Sequence, residues 1–301
     1  YNYWMSQRLK SILAAALVTF LWSTSWVLIK QNIQDLPPLL FAGMRYCLAA
    51  LILLPGLFRY KANLRKITPS DWVKLGLLGL VLYGLTQGGV FLALKYLPAT
   101  DLSLLLNFST ILVAFAGIIM LKEFPTRLQW LGIVIFLAGV VIYFFPLPPG
   151  KRSLLGLGFA LLTLVANSIG TLQGRAINRT RTYSPYVVTT ISMSVGAILL
   201  LSSGLLLERI PTLTIGNIAT IAWLAVVNTA FAFTVWNKTQ QTLAAVESSI
   251  INNTMLIQIA ILAWVFLGET LSTRQIFALL VAALGVLLTN WKPKRQVAID
   301  R

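Results

Sequence analysis

Apolar and polar positions along the chain alternate as ten apolar runs of about 20 residues separated by short charged or proline-bearing breaks. The runs lie at 9–29, 39–58, 72–94, 99–121, 128–146, 154–174, 185–207, 216–237, 244–266 and 274–291. A bilayer hydrocarbon core about 30 Å thick needs roughly 20 apolar residues per helix, so each run reads as a crossing. The pattern therefore predicts an all-α integral membrane protein of ten transmembrane helices. No break is long enough to hold a soluble domain. The first run is long and no small-residue cleavage pattern follows it, so it is expected to stay as a span. Met5-Ser6-Gln7-Arg8 reads as an ordinary start, and Tyr1 to Trp4 are set aside from the fold reasoning.

Composition agrees with this pattern. Of 301 residues 57% are hydrophobic and 11% charged, too few charges to cover one water-soluble core. The balance of 24 Lys and Arg against eight Asp and Glu gives +16, which invites a nucleic-acid reading until the charges are placed. With the N-terminus in the cytoplasm, seventeen of the basic residues fall on inner segments and six on outer ones, leaving Arg45 within the second span. That is the positive-inside distribution. It predicts a multi-pass protein of the cell membrane (the bacterial inner membrane) with both termini cytoplasmic. The expected partners are the lipid bilayer and a small-molecule substrate, with no nucleic acid, and the chain is expected to act as a monomer.

Zero histidines and a single cysteine, Cys47, remove Ser-His and Cys-His nucleophile pairs, zinc sites of the His-Glu-x-x-His kind, histidine proton relays and any internal disulfide. All eight acidic residues fall at span ends or in loops, so no carboxylate pair lies at depth. The chain is read as a non-enzyme without metal or other cofactor.

A shift of 146 positions superimposes a long stretch of the two halves. Leu97, Ala99, Ser103, Asn107, Ala114, Leu121, Glu123, Gln129, Gly139 and Val140 meet identical residues at Leu243, Ala245, Ser249, Asn253, Ala260, Leu267, Glu269, Gln275, Gly285 and Val286, and Asp101 meets Glu247. The units are 9–146 and 154–291, five spans each. An odd number of spans turns the second unit upside down relative to the first, and inverted repeats of this kind hold substrate near the midplane between halves that rock.

The first span carries Leu21-Trp22-Ser23-Thr24-Ser25-Trp26 followed by Lys30, and the repeats carry Leu121-Lys122-Glu123 and Leu267-Gly268-Glu269 ahead of a Ser/Thr and a glycine-containing span. In these features and their order the chain resembles the EamA-type transporters of the drug/metabolite transporter superfamily. The resemblance implies two five-helix repeats and export of amino acids or related metabolites. Ser109 and Met255 stand where family members often have proline within spans four and nine, so no proline kink is expected there.

Ser103, Asn107 and Thr110 share one helical face, matched by Ser249 and Asn253. Such a stripe is either interhelical hydrogen bonding or a cavity lining. Tyr83, Gln87 and Asn167 are further cavity candidates, as are the aromatics Trp22 and Trp236, while Gly84, Gly88, Gly170 and Gly174 read as packing seams. Arg45 is either a headgroup-reaching anchor or a carboxylate-binding group. Asp101 and Glu247 are the candidate gating or coupling carboxylates, with helix N-terminal charge as the competing role. Thr126 with Gln129 and Ser272 with Gln275 form capping-box patterns, which give the adjoining Glu123 and Glu269 a turn-structure reading.

The expected function is a carrier of small amphipathic metabolites working by alternating access. The alternative is a channel or a lipid scramblase or flippase.

Overall fold

The computed structural model describes residues 2–32, 35–65, 67–97, 102, 105–122, 124–145, 153–267 and 272–290. Among them the secondary structure is helical, with no strand. The helices are α1 (Asn2–Asn32), α2 (Pro38–Leu53), α3 (Pro69–Tyr96), α4 (Leu105–Leu121), α5 (Arg127–Phe144), α6 (Leu154–Arg179), α7 (Pro185–Leu207), α8 (Ile215–Thr239), α9 (Ala245–Phe266) and α10 (Thr273–Asn290). A 3-10 turn, Leu54–Tyr60, and a single helical turn, Lys61–Leu64, follow α2. Seven segments are long and apolar enough to cross a membrane: α1, α2 together with the 3-10 turn after it (Pro38–Tyr60), α3, and α6 to α9. The remaining three of the ten predicted runs appear as the shorter apolar stretches Leu105–Leu121, Arg127–Tyr143 and Thr273–Leu288.

Local chemistry sets the ends. Thr126 and Gln129 cap α5 reciprocally, Thr214 and Asn217 do so for α8, and Ser272 and Gln275 exchange the same bonds at α10. Pro38 and Pro185 each sit in the first turn of their helix, where a missing amide hydrogen costs nothing. Glu208, just past α7, accepts from the free amides of Leu39 (3.2 Å) and Leu40 (2.8 Å) at the start of α2. It places a carboxylate at a helix N-terminus, where the dipole favours it.

Matching helices of the two halves lie against each other in antiparallel pairs. Gly43 of α2 meets Leu201 of α7, Gly204 meets Leu40, and at the opposite end Tyr186 donates to the carbonyl of Leu53 (2.6 Å). α5 and α10 cross in the same manner. Gly139 faces the backbone of Ala278 and Ala282, and its counterpart Gly285 faces that of Gly132 and Phe136. Ala278 and Ala282 are themselves 146 residues beyond Gly132 and Phe136, so the two contacts are one contact seen twice about a two-fold axis.

Both halves depart from α-helical geometry at matched places. α3 widens to π-helical turns over Gly79–Leu85 and α8 over Val226–Phe231. α4 and α9 are broken at Phe108 and Thr254, again 146 apart, so the helices are interrupted there although Ser109 and Met255 stand in place of proline. The cause is hydrogen bonding. The amides of Phe108 and Ile111 bond to Leu105 and Phe108 across three residues, freeing the carbonyl of Asn107, which accepts from Asn253 Nδ2 (3.1 Å). On α9 the hydroxyl of Thr254 turns back onto the Ile251 carbonyl (2.6 Å).

Candidate functional site

A cavity of about 840 Å³, open mouth included, lies between the two halves. Its walls are built by two helix pairs that the two-fold axis exchanges. α1 and α8 form one wall, and their counterparts α6 and α3 form the other.

The α1/α8 wall is aromatic. Trp22 packs against Phe233 (ring centroids 4.7 Å apart) and Trp236 (5.1 Å), with Trp26 one turn further along α1. Trp22 Nε1 donates to the carbonyl of Asn228 within the wide turns of α8 (3.0 Å), which fixes the indole while leaving its face to the cavity. The α3/α6 wall presents Thr86, Gln87, Asn167 and Thr171 beside the apolar Leu82, Val90 and Phe91. Close approach of these two helices is permitted by Gly170, which sits against Leu82, and by Gly89, against Thr163. Leu106 of α4 and Asn252 of α9 lie at the edges, each beside the helix break of its half.

The polar and apolar positions are counterparts. With the halves aligned by 145 residues at the first helix and 146 thereafter, Trp22 matches Asn167, Trp26 matches Thr171, Phe233 matches Gln87, Trp236 matches Val90 and Asn252 matches Leu106. The 145 register is supported by Ser23 with Ser168 and Ala15 with Ala160, identical pairs that are buried in both halves. A symmetric backbone thus carries a cavity in which Trp22, Trp26 and Phe233 on one side stand opposite the hydrogen-bonding Asn167, Thr171 and Gln87 on the other.

Arg45 of α2 also lines the cavity, although only 2% of its surface is exposed. Its Nε donates to Thr229 Oγ1 (2.7 Å) and its Nη2 to the Asn228 carbonyl (3.3 Å). At one end of the cavity Gln240 is held by Arg175, whose Nη1 donates to the Gln240 carbonyl (2.6 Å). Asn178 Nδ2 donates to Asn237 Oδ1 (2.7 Å), tying α6 to α8 there.

A model of the EamA-like transporter family matches residues 9–145 and 154–291. The chain belongs to the EamA-like transporter family. It is 27% identical over 297 residues to the "Uncharacterized transporter YvbV" of Bacillus subtilis, covering 96% of this chain and 94% of that one. It is 28% identical over 236 residues to an "Uncharacterized transporter" of Archaeoglobus fulgidus, covering 75% and 78%. A protein of Chlamydia muridarum named "S-adenosylmethionine/S-adenosylhomocysteine transporter" is 23% identical over 290 residues, covering 92% and 90%. A crystal structure with 18% identity superimposes with a TM-score of 0.77 over 93% of this chain and 97% of that one, which shows the same fold. Apolar helices and transporter relatives together make this EamA-family chain a multi-pass membrane protein.

Within this EamA fold, Trp22, Gln87, Asn167, Trp236 and Arg45 stand at the cavity. Tyr83 lies one layer behind it, fully buried against Tyr46 (6.0 Å) and Phe233 (4.8 Å). Asn107, Ser249 and Asn253 are gathered elsewhere, in a buried seam between α4 and α9. There Thr110 and Ser249 hydroxyls are 3.2 Å apart, and Asn253 donates to the Asn107 carbonyl and to Thr110. Glu247 stands at the first turn of α9, accepting from the Ala244 amide (3.0 Å) and pairing with Arg8 of α1 (2.7 Å). Asp101 and Ser103 lie outside the described residues, as do Glu123 and Glu269.

Among the cavity residues not singled out from sequence are Tyr46, Thr86, Thr171, Phe233 and Gln240. Thr171 was accessible as the position one turn beyond Asn167, and Phe233 as the repeat counterpart of Gln87. Tyr46 is hidden by its neighbour Arg45, and Gln240 lies past the end of the apolar run, where hydrophobic periodicity carries no signal.

Proposed function

We propose that this EamA-family protein is a carrier of small amphipathic metabolites, amino acids or related compounds, working by alternating access as an exporter in the cell membrane. In this reading all ten helices cross the bilayer as two inverted five-helix repeats with both termini cytoplasmic. The observation that carries it is the two-sided cavity: an aromatic wall from α1 and α8 opposite an amide and hydroxyl wall from α3 and α6. A solute with a flat apolar face and a hydrogen-bonding edge satisfies both walls at once. S-adenosylhomocysteine, an amino acid joined to an aromatic base, has this make-up, and the name of the Chlamydia relative supports it as a test solute. Export is the direction that the family resemblance implies.

A carrier is favoured over a channel by the polar ties of Arg175, Gln240, Asn178 and Asn237 at one end of the cavity, since a carrier is closed on one side at a time. None of Asp35, Asp71, Glu208 and Glu247, the described acidic residues, lines the cavity, which supports exchange or facilitated transport over a carboxylate proton relay. The test is uptake of radiolabelled amino acids and S-adenosylhomocysteine into proteoliposomes, with unlabelled solute preloaded and with or without a pH gradient. Saturable uptake, accelerated by preloading and indifferent to the gradient, is expected. Flux that neither saturates nor responds to preloading refutes the carrier and gives the channel or scramblase reading its place.

A further inference from the structure

Arg45 is a guanidinium buried in a membrane protein with no carboxylate within 4.0 Å of it among the described residues. The described acids are engaged or placed elsewhere: Asp71 with Lys74 and Tyr183, Glu208 at the start of α2, Glu247 with Arg8, and Asp35 on an exposed turn. The two acceptors that Arg45 does have, Thr229 Oγ1 and the Asn228 carbonyl, are neutral. They orient the group through Nε and Nη2 without balancing its charge, and a charge held this way in a water-poor interior is stabilised by an anion.

A second donor stands beside it. Tyr46, the next residue, lines the same cavity, its ring centre is 5.3 Å from the Arg45 guanidinium carbon, and its buried hydroxyl has no hydrogen-bond partner. An orphaned buried hydroxyl is costly unless a ligand answers it. The aromatic wall is fixed to the same point, because the Asn228 carbonyl that accepts from Arg45 also accepts from Trp22 Nε1.

Building on the carrier reading, we propose that Arg45 and Tyr46 form an anion subsite inside the cavity. The cargo carries a carboxylate or phosphate bound there, with its apolar body on Trp22, Phe233 and Trp236. A guanidinium fork with one arm free and a phenolic hydroxyl match the two oxygens of such a group. Solutes whose only charge is positive are rejected by the unbalanced Arg45.

The test measures binding of four probes that share a phenyl ring to the purified full-length protein: L-phenylalanine, 3-phenylpropionate, phenyl phosphate and phenethylamine. In the wild type the anion-bearing probes are expected to bind at least about tenfold more tightly than phenethylamine, the scale of one charge-assisted hydrogen bond. Comparison of phenylpropionate with phenyl phosphate decides which anion the site takes. Arg45→Gln should abolish the preference, leaving acid and amine equal, while Arg45→Lys should keep part of it. Tyr46→Phe retains the ring and removes the orphaned hydroxyl, so it serves even where Arg45→Gln fails to fold. Its expected effect is a several-fold loss for the anions and none for phenethylamine. Wild-type binding of phenethylamine as tight as that of phenylpropionate overturns the subsite. So does an acid preference that survives Arg45→Gln while the melting temperature falls, since Arg45 would then only fasten α2 to α8. Selective anion binding without counterflow of any probe would keep the subsite and remove the carrier reading. Absence of both binding and counterflow removes the two together.

Discussion

The crossing of α5 with α10 yields a prediction whose size follows from two glycines. A β-carbon added at Gly139 would stand 2.6 Å from the amide nitrogen of Ala282, and one at Gly285 would stand 2.5 Å from that of Phe136. Both obstacles are backbone, so no side chain can swing aside. Restoring ordinary contact requires the helices to part by about 0.8–0.9 Å, and a gap of that size forfeits a quarter to a half of each van der Waals contact along the seam. Gly139→Ala and Gly285→Ala are each expected to cost about 2–3 kcal/mol, overpacking offset by the gain of roughly 1 kcal/mol that alanine brings to a helix. Because the two glycines serve one symmetric crossing, the first substitution opens the gap that the second needs. The double variant should therefore cost about the same as either single one, a coupling of about 2 kcal/mol. Gly158 of α6 is the control: nothing lies within 4 Å of its added carbon, and Gly158→Ala should stabilise by up to about 1 kcal/mol. The assay is equilibrium unfolding of purified protein in mixed detergent for the four variants and the wild type. Additive losses in the double variant, or a stabilising Gly139→Ala, would refute the shared-crossing argument.

Other expectations concern the polar seams and the cavity. Asn253→Ala should cost about 1–2 kcal/mol by removing the amide that donates to the Asn107 carbonyl and to Thr110, with cargo affinity unchanged when unfolding and competition binding are measured side by side. Glu247→Gln keeps an acceptor for the Ala244 amide but loses the charge opposite Arg8; because Arg8 is partly exposed, the expected loss is about 1 kcal/mol, checked by thermal unfolding at low and high salt, with salt shrinking the difference. Trp22→Phe retains an aromatic face but loses the bond to the Asn228 carbonyl, so affinity for an aromatic cargo should fall several-fold in a competition assay. Asn167→Leu, on the half-buried polar wall, should lower that affinity while leaving the melting temperature within about 1 °C of wild type.

Hydrophobic periodicity marked the ten apolar helices, seven of them in segments long enough to cross a membrane, but not the turns over Leu54–Tyr60 and Lys61–Leu64. Periodicity says nothing of how two faces with the same polarity are used. Asn107 and Asn167 look alike in sequence, each an amide within an apolar run, yet one joins the seam between α4 and α9 and the other faces the cavity. What separates them is the break at Phe108, a backbone event with no proline to announce it. The wide turns of α3 and α8 are equally silent in sequence, although they free the Asn228 carbonyl region that holds Trp22 and Arg45. Arg45 stood out as the one cation inside a span, but its neutral hydrogen-bond partners belong to α8, 183 and 184 residues further along the chain.

The symmetry of the backbone and the asymmetry of the side chains have different consequences for transport. Two halves with matched breaks, matched wide turns and self-matching helix crossings can exchange their arrangements at little cost in energy, which alternating access requires. Identical walls, however, would bind an amphipathic solute equally well in either of two orientations. Replacing Asn167 by its counterpart Trp22, Gln87 by Phe233 and Thr171 by Trp26 removes that degeneracy. Arg45 strengthens the distinction, for its counterpart is uncharged, Ile191 in the 146-residue register and Ser192 in the register set by Pro38 and Pro185. In the proposed carrier, a cargo held by one aromatic wall and one cation would keep a single orientation while the scaffold around it inverts. The two access states are then energetically unequal for a bound solute even though the empty halves are alike, and that inequality would give the two faces different half-saturation constants, while net flux of an uncoupled carrier still follows the solute gradient. Exchanging the wall chemistry, with Trp22→Asn and Asn167→Trp in one chain, should therefore preserve folding but alter the ratio of inward to outward half-saturation constants measured in proteoliposomes of known orientation. An unchanged ratio would mean that the side-chain asymmetry sets affinity alone.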